Sequence, residues 1–242
     1  MVRATWAIGL LATTLFSVPA MAAEGKAAAV KAAGFCAIQD SKACQDAVTP
    51  AQVLSHLIEG NQRFVSGARV NHRFKKQIKA TAHGQFPLAS VVSCIDSRVP
   101  AEIVFDQGIG DLFSARVAGN IVNDDILGSL EYASQVAGSK LIVVLGHSSC
   151  GAVKGACDAV KLGHLTQLLD KITPAVSAIE ETGDRSSKNY AFVEKVAQRN
   201  VEDTVKRIRE QSAGLRELEQ SGALMIKGAL YDVETGKVTW LN

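Results

Sequence analysis

The chain has 242 residues, 47% of them hydrophobic, and a formal net charge of +2. That length holds one sizeable domain with a real core, and that hydrophobic share excludes a disordered chain. The near-neutral charge, with no basic stripe interleaved with aromatics, excludes a nucleic-acid binder.

In chain order, the first segment reads as an address rather than as fold. Arg3 gives a positive start, residues 7–18 are an apolar stretch too short to span a bilayer, and Ala20-Met21-Ala22 is a small-residue cleavage site. The expectation is a signal peptide over 1–22, export to the periplasm and no stable membrane insertion, since no later run is long and apolar enough to span. Residues 23–48 read as an Ala-rich N-terminal helical arm, ahead of a main domain over 49–242. An oxidising compartment favours disulfides, and Cys36 and Cys44 are near enough in sequence to pair, although spacing alone does not decide whether they do.

Thr49-Pro50-Ala51-Gln52 is a helix start, with Thr49 as cap, Pro50 at the first helical position and Gln52 reaching back. Val53, Leu54, Leu57 and Ile58 then recur at helical spacing, and Gly60 is expected to end the helix. Residues 61–86 read as an irregular, polar and basic segment on the surface. Leu88 to Ser93 and Leu112 to Val117 read as short buried strands. Asp124 or Asp125 is expected to cap a helix reaching Ala137, with Ile126, Leu127, Leu130 and Val136 inward and Gly138 as its stop. Residues 141–145 (LIVVL) are apolar on both faces, the signature of a parallel strand covered on both sides. Helices are predicted from Gly151 and over 165–180 and 190–211. A strand over 224–230 and a turn through 234–237 into residues 238–241 complete the chain. Strands alternating with helices give an α/β fold with a mostly parallel central β-sheet flanked by helices.

Two runs carry the chemistry: CIDSRVP at 94–100 and GHSSCGAV at 146–153. Each follows a predicted strand, and in open parallel sheets sites form at the carboxyl ends of strands, so the two runs should meet at one rim. Cys94, His147 and Cys150 offer two soft thiolates and an imidazole, a donor set that suits zinc. Three protein ligands rather than four leave a position open, as in catalytic zinc sites. An H-x-x-C spacing alone is weak, but joined to C-x-D-x-R at another strand end it is far more specific. Asp96 and Arg98 read either as a surface ion pair or as a device that orients a carboxylate beside the metal. In the second reading Asp96 accepts a hydrogen bond from the metal's water, or swings in as fourth ligand unless Arg98 holds it away. Zn²⁺ with two thiolates and a neutral imidazole sums to zero charge, which acidifies water less than three histidines do and predicts activity rising on the alkaline side of neutral. Cys157 reads as a small buried residue on the helix that follows Cys150. The residues alone also admit a redox pair, a cysteine nucleophile built from Cys150 and His147, or a non-catalytic zinc or anion-binding protein.

Residues 94–120 (CIDSRVPAEIVFDQGIGDLFSARVAGN) and 146–156 (GHSSCGAVKGA) resemble the two zinc motifs of the β-class carbonic anhydrases, and residues 57–67 and 231–238 are similar to further segments of that family. The resemblance covers residues 50–242. It implies a β-carbonic-anhydrase-like fold and the reversible hydration of carbon dioxide to bicarbonate and a proton by a zinc-bound hydroxide. It also implies one Zn²⁺ per chain on Cys94, His147 and Cys150, with Asp96 and Arg98 as the family's dyad. Gln107 and the backbone N–H of Gly151 are implied to bind the substrate, CO2 or bicarbonate. The implied assembly is a homodimer or homotetramer. Hydrolysis of carbon disulfide or carbonyl sulfide on the same scaffold is the alternative activity. Some family members carry an inhibitory bicarbonate site of a Trp, an Arg and a Tyr. Arg116 and Tyr231 stand where two of these fall, but residues 90–93 hold no Trp, which implies an open form and a structural role for Arg116. His56, His72, His83 and His164 are left over and are expected on the surface.

Overall fold

Residues 42–241 are described by the structure, a computed structural model. The predicted leader and the pairing of Cys36 with Cys44 lie outside them, and the predicted arm is described only from Lys42, as helix α1 (Lys42–Ala47).

The apolar run at 141–145 becomes the centre of the sheet because no position in it tolerates water. Strand β3 (Leu141–His147) is buried throughout. It lies parallel to β1 (Ala89–Ser93) on one side and β4 (Met225–Tyr231) on the other. Beyond β1 runs β2 (Leu112–Arg116), also parallel, and beyond β4 the short antiparallel β5 (Val238–Trp240). Among the described residues this is a five-stranded sheet of order β2-β1-β3-β4-β5. Leu141, Val143 and Leu145 join the cluster packed under Val53 and Leu57, while Ile142 and Val144 join the cluster on the opposite face.

Helix α2 (Pro50–Val65) starts as predicted, with the full capping box between Thr49 and Gln52, worth about 1 kcal/mol. It does not stop at Gly60. That residue is buried mid-helix, and a Cβ there would lie 1.9 Å from the Phe105 carbonyl oxygen, so glycine serves close approach rather than termination. The surface segment predicted over 61–86 therefore gives up its first turn to α2, and it also contains helix α3 (Phe74–Ala80). After α4 (Ala101–Val104) and β2, a 3₁₀ turn at Ala118–Asn120 leads to α5 (Asp124–Glu131). Its cap is Asn123, whose side chain accepts from the Ile126 N–H, not Asp124 or Asp125. A π turn at Tyr132–Val136 follows and shifts the helical phase, which turns Val136 outward to 70% exposure instead of into the core.

Helix α6 (Gly151–Cys157) follows β3. The helix predicted over 165–180 is broken into α7 (Gly163–Asp170) and α8 (Thr173–Ala178), with Pro174 suited to a first turn but not to a continuous helix. Helix α9 (Tyr190–Gln211) packs its apolar stripe on the sheet, and α10 (Ala213–Gln220), which hydrophobic spacing did not reveal, begins at the Ser212 cap. No helix among the described residues is long and apolar enough to cross a membrane.

Candidate metal centre

β1 and β3 pair in register, Ser93 opposite Leu145. The chain leaves β1 toward β2 on one side and returns to β3 on the other, so the crevice at their carboxyl ends is the switch point where α/β sheets bind ligands. Cys94 is the first residue past β1, and His147 is the last of β3. The turn through Ser148 and Ser149 carries Cys150 to the start of α6, where it is the N-cap.

The donor atoms of Cys94, His147 and Cys150 all lie within 4.8 Å of one another, and all three residues are buried. They are the mutually close metal-ligating set among the described residues, and Asp96 is not part of it. Both sulfurs are free thiols. The His147 ring lies at 2.9 Å through Nδ1 from the Ser148 carbonyl, which places the proton on Nδ1 and the lone pair on Nε2. That Nε2 is buried without a hydrogen-bond partner. An orphaned imidazole nitrogen facing two thiols is costly unless something binds there, and this donor set fits zinc. Hydrogen bonding from Cys150 and the Gly119 N–H outweighs burial and holds the Cys94 thiol below its ordinary range, while Cys94 and burial push Cys150 up.

Asp96 hangs over this set. Arg98 clasps it with Nε to Oδ1 at 2.9 Å, Nη2 to Oδ2 at 2.8 Å and its own backbone N–H to Oδ1 at 3.0 Å. Those bonds hold the Asp96 carboxyl far below the usual carboxylate range, so it stays charged at any working pH. Its Oδ2 lies 3.9 Å from His147 Nε2. Arg116 donates to the carbonyls of Cys94 and Asp96, at 3.2 and 2.6 Å, and so fixes the backbone of the same loop.

The other predicted residues fall outside this set. Gly151 opens α6, exposed, with open space where a Cβ would stand. Gln107 is buried, and its amide donates to the carbonyls of Phe105 and Asp106 at 2.7 and 3.1 Å, so its hydrogens are engaged within its own loop. His72 is not a surface residue. Its Nε2 lies 2.8 Å from the buried Asp106 carboxylate, which also accepts from Arg63 Nε at 2.7 Å and the Val70 N–H at 3.2 Å. Sequence patterns missed this knot because its members are spread over more than forty positions. Cys157 ends α6, half-buried, and burial pushes its thiol up to about 11.

Residues 89–238 match the family profile described as carbonic anhydrase. The chain belongs to the carbonic anhydrase family. It is 37% identical to carbonic anhydrase 2 of Mycobacterium tuberculosis over 78% of this chain and 91% of that one. It is 35% identical to the carbonic anhydrase of Mycolicibacterium smegmatis over 78% and 92%. Among solved structures it is similar to a β-carbonic anhydrase of Sordaria macrospora described as tetrameric, with a TM-score of 0.62 and 25% identity over 79% of this chain and 98% of that one. It is equally similar to the Coccomyxa β-carbonic anhydrase solved with acetazolamide, with a TM-score of 0.62 and 25% identity over 78% and 86%. The fold is that of the β class.

Proposed function

We propose that this chain catalyses the reversible hydration of carbon dioxide to bicarbonate and a proton, using one zinc ion held by Cys94 Sγ, His147 Nε2 and Cys150 Sγ. The observation that carries this reading is the buried, partnerless Nε2 of His147 set against two free thiols. Zinc bound there would supply Lewis acidity that makes water a nucleophile at mildly alkaline pH.

The remaining work belongs to the chain's own side chains. Asp96, kept charged by Arg98, has acceptor capacity left to take a hydrogen bond from the attacking water and orient its lone pair toward CO2. Arg98 keeps the carboxylate from filling the open metal position, since releasing Asp96 would break three bonds at once. The Gly151 N–H, in the first turn of α6, would donate to a bicarbonate oxygen. Gln107 joins the substrate site only by giving up one of its two loop bonds, and a Gln107→Ala variant with unchanged KM would remove it from the site.

The similarity to a tetrameric relative supports self-association of this chain, which sedimentation would size. The predicted signal peptide over 1–22 supports export to the periplasm, and mature protein beginning at Ala23 would be its direct mark.

The test is stopped-flow CO2 hydration on metal-loaded protein at mildly alkaline pH. Rapid turnover that disappears with a chelator and returns with zinc is expected. One tightly held zinc per chain without turnover would overturn the catalytic reading.

A further inference from the structure

Helix α9 contributes no predicted ligand, yet three of its polar side chains, Tyr190, Glu194 and Asn200, reach the two loops that do. We propose that Glu194 and Asn200 are positioning residues, one for each ligand-bearing loop, so that a single helix anchored on the sheet sets the geometry of the metal centre. This deepens the zinc reading above and rests on it.

Asn200 interrupts an otherwise apolar stripe of Val193, Val196, Ala197, Val201 and Val205. It is 3% exposed, and a buried amide is costly unless bonded. Its Nδ2 donates to the Gly119 carbonyl at 2.8 Å. The Gly119 N–H in turn donates to Cys94 Sγ at 3.4 Å. Gly119 has φ +72°, and a Cβ on it would meet Ile172 Cδ1 at 2.5 Å, so the residue has no freedom to drift once Asn200 holds it. An N–H donor on a thiolate withdraws charge from the sulfur and fixes its direction, the kind of support that tunes a bound metal.

Glu194 acts on the other loop. Its Oε1 accepts from the Ser149 N–H at 2.9 Å. Ser149 lies between His147 and Cys150 with φ +54°, a left-handed conformation that a serine adopts only under constraint. The Ser149 hydroxyl shares a hydrogen bond with Tyr190 of the same helix at 2.9 Å, and its carbonyl takes a long contact of 3.5 Å from Arg98 Nη2. Glu194 therefore steadies the turn that delivers two ligands and touches the arginine that clasps Asp96. The helix itself packs through Val201 and Ile208 against Ile142 and Val144 of β3.

The experiment uses the full chain loaded with zinc and follows metal transfer to a chromogenic chelator, with cobalt-substituted protein giving absorption bands that report ligand geometry. Glu194→Ala and Asn200→Ala should each release zinc about 10- to 100-fold faster, the range typical for losing a residue that supports a ligand, and should shift the cobalt bands. Glu194→Gln keeps an oxygen that can accept from Ser149 and should stay within a few-fold of wild type. Val205→Ala, buried on the same helix but away from both loops, should melt earlier while releasing zinc at the wild-type rate. If Asn200→Ala does not fold, the half-buried Glu194 carries the test. Wild-type release rates in Glu194→Ala, or equally fast release from Val205→Ala, would overturn the proposal while leaving the zinc reading intact. A wild-type protein that binds no zinc would overturn both.

Discussion

Asp96 and Asp106 are each clasped by an arginine, yet the Asp96 side chain keeps 17% of its exposure and that of Asp106 keeps none. The donors to Asp96 all come from Arg98, two residues away and half exposed. The groups that hold Asp106 are Arg63, Arg69, Val70 and His72, which lie on α2 and on the segment after it. The first carboxylate is held locally beside a cluster that can take a metal. The second ties separate stretches of chain together and has no lone pair facing solvent. Similar ion-pair chemistry thus serves reactivity at one place and architecture at the other, and the span of the donors distinguishes them.

Exchanging each carboxylate for its amide should separate the two roles. Asp96→Asn should keep its zinc and lose turnover by roughly 10²-fold or more, measured by stopped flow, with little change in unfolding free energy. Unchanged turnover would remove Asp96 from the mechanism. Asp106→Asn should behave conversely. The amide keeps one acceptor oxygen but loses the charge and sets its NH2 against donors the other oxygen had taken, which should cost about 2–4 kcal/mol in urea unfolding, while turnover per folded, zinc-loaded chain stays within a few-fold. A normal unfolding midpoint would make the Asp106 knot an ornament.

Arg98→Ala should have a smaller effect, a loss of about tenfold with a displaced pH–rate profile, because the freed Asp96 can then compete for the metal. A profile superimposable on wild type would count against a holding role for Arg98.

The mildest contrast is in acid. Burial alone would raise the Asp106 carboxyl, but Arg63, His72 and the Val70 N–H outweigh it and hold it below its ordinary value. A depressed folded value adds stability that is present above the unfolded pKa of about 3.9 and fades as pH falls through the folded one. Stability should therefore drop more gently below pH ~4 in Asp106→Asn than in wild type, as followed by denaturant midpoints. Activity, by contrast, should rise with pH on the alkaline side of neutral, and a profile flat from mildly acidic conditions upward would contradict the neutral charge sum of the ligand set.

The sheet and its rim were legible because the signals there are local. Residues 141–145 are uniformly apolar, and Cys94 and His147 stand directly at strand ends. Asp96 and Arg98 are two positions apart and needed no tertiary information. What escaped depended on partners distant in sequence. Gly60 read as a helix stop because the Phe105 carbonyl it makes room for lies 45 residues away (105 − 60). Val136 read as inward because a π turn is not visible in a 3.6-residue period. Asn200 left one trace, a polar residue on an apolar helical face, which in hindsight marks a bond to something buried.

The most direct test of the centre is a crystal structure of zinc-loaded protein at mildly alkaline pH, with the metal located by anomalous scattering. The expected result is zinc on Cys94 Sγ, His147 Nε2 and Cys150 Sγ, one further ligand that is not protein, and Asp96 still paired with Arg98. A metal elsewhere, or an Asp96 carboxylate closing the fourth position under those conditions, would contradict an open centre held ready by that pair.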